Sequence, residues 1–206
     1  MLKIWGRMSS INVKKVVWTA QELGLDFQRT EAGGLFGVVK TPEYMRLNPN
    51  SLVPVIEDED FVLWESNVIV RYLCARHSSG EFYPMELRER FSAECWMDWQ
   101  QTALNPASRP GFWQLIRTPP EQRNGQLIAE SNAAVEALMA TLDAHLARHA
   151  FMGGERFSMA DIPVACEVHR WFGLPQPRQS RRNIERWYES LCARQASKGV
   201  LDLALI

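Results

Sequence analysis

The chain has 206 residues, of which 46% are hydrophobic and 23% charged, ordinary globular proportions that exclude a disordered polymer. Lysine plus arginine number 23 against 24 aspartate plus glutamate, and a net charge of -1 leaves no electrostatic footprint for nucleic acid. No apolar run approaches the roughly 20 residues of a membrane span, and Met1 to Arg7 enters a strand pattern without a signal peptide, so a soluble cytoplasmic protein of one large or two small domains is expected.

Leu2-Lys3-Ile4-Trp5 reads as a short strand. After a turn at Gly6 to Ser10, Val13, Val16, Val17, Ala20 and Leu23 recur at helical spacing, and Gly24 stops that helix as a residue just past its C-cap. Leu25 to Glu31 can form a second strand, and Gly33-Gly34 with Gly37 marks a loop. Thr41-Pro42-Glu43 has the form of a helix start: a capping hydroxyl, proline at the first helical position and an acid in the first turn. Asn48-Pro49-Asn50-Ser51 is a turn. Val53 to Glu57 and Phe61 to Trp64 bracket the acidic turn Asp58-Glu59-Asp60 as a hairpin, and Ser66 to His77 is a helix ending near Ser79-Gly80. The order βαβ, short α, ββ, α is the thioredoxin-like arrangement, predicted as an α+β domain over residues 1–79.

From Met85 onward no strand pattern stands out, and an all-helical domain is expected over residues 86–206, joined through Ser78 to Pro84. Glu86 to Asn105 is a long helical pattern carrying Trp96 and Trp99. Pro106 and Pro110 are expected to bend or interrupt it before Phe112 to Arg117. Thr118-Pro119-Pro120-Glu121 breaks and restarts the chain, and Gln126 to Ala150 repeats apolar residues at helical spacing. Ser158-Met159-Ala160-Asp161 has the spacing of a capping box ahead of Ile162 to Phe172. Ile184 to Ala196 is the last helix.

Cys74, Cys95, Cys166 and Cys192 form no CxxC pair, which excludes a dithiol motif or zinc knuckle on spacing, and their apolar surroundings suggest four buried thiols. His145 and His149 share a helix face, but no third ligand stands at a natural spacing, so no metal site is expected. No phosphate-binding glycine loop and no GxSxG elbow occurs.

Three features point to chemistry. Val53-Pro54 places proline inside a strand pattern, which fits an edge strand or a cis peptide that turns the N–H and C=O of Val53 toward an extended ligand. Glu65-Ser66 opens a helix. Ser66 reads as a plain N-cap or as a receiver of a carboxylate, with Glu65 facing the accompanying ammonium, the charge pair of an amino-acid terminus. The turn Arg7 to Asn12 puts hydroxyl and amide groups at a helix N-terminus, where they serve as turn residues or as donors to a thiolate.

Strand, Ser10 and helix, followed by Asn48 to Pro54, the hairpin, and Trp64-Glu65-Ser66-Asn67-Val68-Ile69-Val70-Arg71-Tyr72-Leu73, resemble the cytosolic glutathione transferases. Ser158 to Ile162 is similar to the capping motif of their second domain, so the resemblance covers nearly the whole chain. Trp5-Gly6-Arg7, Ser10, Asn12 to Val16 and Trp96-Met97-Asp98-Trp99 look most like a bacterial serine- or asparagine-type branch. The resemblance implies glutathione as co-substrate and no metal. Val53 would then make main-chain bonds to its cysteinyl part beside cis Pro54. Glu65 and Ser66 would hold the γ-glutamyl end, and Lys40 would reach the glycyl carboxylate. Ser10 matches the catalytic hydroxyl position, with Asn12 as auxiliary. Two departures weaken the match: Leu52 replaces a polar residue of some branches, and Ser51 stands where the family often has glycine. The electrophilic substrate is expected against Met8 and the Pro110 to Arg117 segment, with Trp113 supplying apolar surface and Arg117 a positive charge. Asp161 takes a structural role.

The resemblance implies an enzyme that conjugates glutathione to small electrophiles or displaces halide from them, as a homodimer. The alternatives are a non-catalytic binding module on the same fold and a glutathione-dependent reductase of peroxides or disulfides. Ser9 and Ser10 where a glutaredoxin has cysteine speak against a mixed-disulfide thiol transferase.

Overall fold

The computed structural model describes residues 1–206, which divide into two compact units, Met1–Tyr83 and Pro84–Ile206. In the first unit, β1 (Leu2–Trp5) buries Leu2 and Ile4 and exposes Lys3, the alternation its sequence suggests. Gly6 then turns the chain at a positive φ of 146°. A Cβ there would stand 2.3 Å from the Val13 side chain, so only glycine lets β1 run this close to the helix that follows.

That helix, α1 (Ile11–Glu22), ends in a Schellman motif. Gly24, at φ 63°, donates to the Gln21 carbonyl (3.1 Å) and Leu25 to that of Ala20 (3.0 Å). β2 (Phe27–Thr30) is shorter than expected at both ends. It pairs parallel with β1, which pairs antiparallel with β3 (Val55–Asp58), and β3 pairs with β4 (Phe61–Trp64). The sheet order is β2-β1-β3-β4, so β3 is an interior strand. Between β2 and β3 lies α2 (Pro42–Leu47), capped by Thr41 Oγ1, which accepts from the Tyr44 N–H at 3.3 Å. α3 (Ser66–His77) packs against α1 and holds the hairpin. Tyr72 Oη donates to Asp58 Oδ2 (2.8 Å), and Arg76 pairs with both Asp58 and Glu59.

The second unit is helical: α4 (Leu87–Trp99), α5 (Asn105–Phe112), α6 (Gly125–Leu146), α7 (Asp161–Gly173) and α8 (Arg182–Cys192). The two prolines do not interrupt the helical path from Leu87 to Arg117. It widens into π turns at Gln100–Leu104 and Trp113–Arg117, and every junction keeps right-handed helical φ and ψ. Pro106 stands in the first turn of α5, where a missing N–H costs little, and Pro110 lies inside α5 between the two π turns. A side chain from another helix enters the same ladder. Ser131 Oγ on α6 accepts from the Gly111 N–H (3.0 Å) and donates to the Ala107 carbonyl (2.6 Å), bridging groups that would otherwise bond to each other. A Cβ at Gly111 would lie 2.8 Å from that oxygen.

α7 is buried nearly all round and forms the centre of this unit. Its Glu167 accepts from Ser108 Oγ, from Gln100 Nε2 (3.0 Å) and from Arg170 Nη1 (2.9 Å), tying α7 to the widened segment. Two helix ends differ from expectation. α6 stops at Leu146, where Arg148 closes a tight turn onto the His145 carbonyl and Phe151 bridges Gly154. α8 begins at Arg182 because Asp143 Oδ1 on α6 accepts the N–H groups of Asn183 (3.1 Å) and Ile184 (3.2 Å), a cap supplied from a distant segment. α8 ends at Cys192, and a 3-10 turn at Gln195–Ser197 follows. Only Cys74 and Cys166 are buried. Cys95 sits off the buried Ala93–Met97 face of α4 and Cys192 closes α8, so both are exposed. Burial pushes the Cys74 thiol up to about 12, which makes it inert at neutral pH.

No helix is long and apolar enough to cross a membrane.

Candidate active site

Ser10 occupies the N-cap of α1. Its backbone is extended (φ -91°, ψ 121°) and its carbonyl starts the helix by accepting from Val13 and Lys14. Its hydroxyl makes no capping bond, so it is available to a partner outside the chain at the positive end of a twelve-residue helix. Asn12 lies in the first turn. Its Oδ1 is buried and accepts no hydrogen bond, which leaves the amide Nδ2 as the group suited to a thiolate.

The Val53–Pro54 peptide is cis, and Pro54 precedes β3 rather than sitting inside it, so no ladder donor of this interior strand is lost. The approach to it is anchored from α2. Tyr44 Oη and Asn48 Nδ2 both donate to the Leu52 carbonyl, at 2.8 and 2.9 Å. Burial raises the Tyr44 phenol far above its ordinary range, which keeps it a donor. Ser51 holds a positive φ of 55°, the conformation that explains why glycine suits this position. Leu52 points its side chain outward and gives only main-chain bonds.

Glu65 is a second residue at positive φ (71°), and it is Glu65, not Ser66, that stands at the N-cap of α3. Ser66 is the first helical residue and is 4% exposed, so the expectation of Ser66 as the capping residue is corrected by one position. Lys40 is exposed, just ahead of the Thr41 cap. Ser10, Asn12, Val53, Pro54, Glu65, Ser66 and Lys40 all belong to the first unit, as does Met8 in the turn before α1.

In the second unit, Trp113 is 54% exposed, whereas Phe112 is buried beneath the Arg170 guanidinium, 4.6 Å from the ring centroid. Trp113 lines an open, largely apolar cavity of about 310 Å³ with Arg109, Pro110, Gln114 and Leu127. Arg117 is not part of its wall. It lies 5.7 Å over the Phe112 ring instead. His145 donates through Nε2 to the Met152 carbonyl (3.1 Å) and packs on Trp96, roles that use the imidazole in structure.

The model of the glutathione S-transferase N-terminal domain matches residues 1–75, and that of the C-terminal domain matches residues 125–190. Glutathione S-transferase GstB of Escherichia coli strain K12 is 39% identical over 203 residues, 98% of each chain. The chain belongs to the glutathione S-transferase family. It is an enzyme of that family. Glutathione S-transferase 3 of Zea mays is 30% identical, over 95% of this chain and 90% of that one. The theta class glutathione S-transferase of Xanthomonas axonopodis pv. citri, solved with glutathione bound, superposes with a TM-score of 0.96 at 39% identity, covering 100% of this chain and 99% of that one.

One side chain of this glutathione S-transferase escapes a reading of its sequence. Lys15 on α1 is fully buried, and its Nζ donates to Asn67 Oδ1 (3.1 Å) and lies 3.5 Å from Ser66 Oγ. A lysine in an amphipathic helix ordinarily marks the solvent face. The available signal was the pair Lys14-Lys15 set inside the apolar run Val13, Val16, Val17.

Proposed function

We propose that the enzyme binds glutathione on its first unit and joins the intact glutathionyl group through its sulfur to small electrophiles, by conjugation or with displacement of halide. The main chain of Val53, beside Pro54, receives the extended cysteinyl part. Ser66 takes the γ-glutamyl carboxylate at the head of α3, Glu65 faces the ammonium, and Lys40 reaches the glycyl carboxylate. One observation outside the chemistry supports this assignment: three of the four non-glycine residues at positive φ, Val38, Ser51 and Glu65, stand within two residues of Lys40, Val53 and Ser66.

The observation that carries the reading is the Ser10 hydroxyl, unengaged at the N-terminus of α1. A free thiol has a pKa of about 8.5, so only a few per cent is thiolate at neutral pH. Bringing it to about 6.5 takes ~2.7 kcal/mol at about 1.36 kcal/mol per unit. A hydrogen bond to a charged group contributes ~1.5–3 kcal/mol, and the helix N-terminus a further ~0.3–1. Ser10 and α1 together are therefore of sufficient magnitude, with Asn12 Nδ2 as the auxiliary donor. The thiolate then attacks the electrophilic carbon, a new S–C bond forms, and the leaving group departs with the electron pair. Trp113 is assigned to the electrophile, at the apolar cavity it lines in the second unit, whereas Arg117, held over the Phe112 ring away from that wall, is not. Trp113 offers a flat, half-exposed apolar face to such a substrate.

The test is the pH profile of turnover with a generic aryl halide for Ser10→Ala and Asn12→Ala. Ser10→Ala should raise the apparent thiol pKa by a unit or more and Asn12→Ala should leave it nearly unchanged. If Asn12→Ala alone produces the shift, the two roles are reversed.

We also infer a homodimer. Phe61, Trp64 and Val68 in the first unit, and Met85, Leu87 and Phe91 in the second, are large apolar side chains left exposed, the kind of surface that a second copy would cover. Light scattering at micromolar concentration should return twice the chain mass. A clean monomer contradicts the inference.

A further inference from the structure

Lys15 is a cation with no exposed surface, and an ammonium is held there only where its surroundings repay the loss of water. Its Nζ reaches two groups in the first turn of α3, Asn67 Oδ1 at 3.1 Å and Ser66 Oγ at 3.5 Å. Both are themselves buried. The same turn carries the unsatisfied N–H groups of a helix start, since the first intrahelical bond runs only from Ile69 to the Glu65 carbonyl (2.9 Å).

The chemistry of the two acceptors gives this contact a direction. A serine hydroxyl has one donor hydrogen and two lone pairs. With Lys15 on the lone-pair side, the Ser66 O–H is turned away from the ammonium and toward an incoming acceptor. Likewise an Asn67 amide whose oxygen faces Lys15 presents its two Nδ2 hydrogens on the opposite side. The buried charge adds to the positive end of the α3 dipole at the same place.

We propose that Lys15 is a positioning residue for the α-carboxylate of the γ-glutamyl group, acting through Ser66 and Asn67. This rests on the assignment of Ser66 to that carboxylate. Lys15 aims the Ser66 hydroxyl and the Asn67 amide outward and raises the local potential, so it contributes to affinity for the carboxylate and not to activation of the thiol.

The experiment compares two ligands by calorimetry: glutathione, and the analogue γ-aminobutyryl-cysteinyl-glycine, which lacks only the α-carboxylate in question. Lys15→Met is near in length and removes the charge. It should weaken glutathione at least tenfold, change the analogue less than twofold, raise KM for glutathione and leave kcat at saturation and the thiol pKa in place. Lys15→Arg should restore most of the glutathione affinity. Should Lys15→Met not fold, Lys15→Gln, which keeps a donor without charge, carries the same two-ligand comparison. A folded neutral variant that binds glutathione within twofold of the parent overturns the proposal, as does one that loses both ligands equally, which is the mark of a merely structural lysine. Failure of the underlying assignment looks different: the unaltered protein would itself bind glutathione and the analogue alike.

Discussion

Asp161 is the residue whose replacement should damage the fold most for a single change. It has no exposed surface, and its carboxylate collects donors from three segments of the second unit. Oδ1 accepts from the Met152 N–H (2.9 Å) and from Trp187 Nε1 (2.8 Å), and Oδ2 from the Ser158 N–H (2.8 Å). Asp161→Ala leaves these three buried donors without an acceptor, at about 1–3 kcal/mol each. Allowing for partial relaxation, a loss of about 4 kcal/mol is expected, a large share of the roughly 5–15 kcal/mol that holds a typical domain. Asp161→Asn keeps the shape and one acceptor oxygen, so it should cost about 1–3 kcal/mol. Burial pushes the carboxyl from 3.8 up to about 6, against hydrogen bonds that pull the other way. A carboxyl raised in the folded state takes up its proton before the unfolded chain does, so this group's contribution to stability grows as pH falls from about 6 toward 4. At about 1.36 kcal/mol per unit that amounts to roughly 3 kcal/mol. Urea denaturation at pH 7.5 and pH 4.5 measures both effects. The parent should gain on Asp161→Asn at the lower pH. A loss under about 1 kcal/mol in Asp161→Ala, or a parent that weakens relative to Asp161→Asn on acidification, refutes the reasoning.

Ser66→Ala should weaken glutathione by one to two orders of magnitude, the scale of a charge-assisted hydrogen bond of ~1.5–3 kcal/mol, while the melting temperature falls by less, since Ser66 is not the capping residue of α3 and Asn67 Oδ1 still accepts from Lys15. Unchanged affinity in titration calorimetry removes the γ-glutamyl assignment. Gly111→Ala sets two effects in opposition: alanine gains up to ~1 kcal/mol of helix propensity, but its methyl meets Ser131 Oγ at 2.8 Å, and overpacking of this kind costs ~1–3 kcal/mol. Because Ser131 is held between Gly111 and Ala107 it cannot step aside cheaply, so a lower melting temperature is expected, by a few degrees in calorimetry. A higher one shows that the bridge yields.

Most of the first unit is legible because its signals are local. Gly24 carries the left-handed turn that ends α1, Thr41 caps α2 in front of Pro42, and Ser66 to His77 matches α3 at both ends. What the sequence does not expose depends on partners far along the chain. Pro106 and Pro110 look like breaks until Ser131, some twenty residues on, enters the helix ladder and the backbone widens around it. The start of α8 is set by Asp143, about forty residues earlier. Lys15 looks like a surface charge because its burial depends on α3 closing over it. At the candidate site the local settings were partly readable: Ser10 heads α1 and the Val53–Pro54 peptide is cis, one of the two readings left open, whereas Pro54 falls outside β3 and Ser66 one position inside α3. The strain at Ser51 and Glu65 and the anchoring of the Leu52 carbonyl by Tyr44 and Asn48 were not readable, since backbone angles and long-range bonds leave no mark in composition.

The central claim is that the head of α1, through Ser10, holds glutathione's sulfur as a thiolate. Thiolate absorbs near the ultraviolet edge where thiol does not, so the difference spectrum of the unaltered protein saturated with glutathione can be titrated directly, without any electrophile. The account predicts a midpoint at about 6.5, roughly two units below the free thiol at about 8.5. A midpoint that stays at about 8.5 in a fully saturated protein contradicts it.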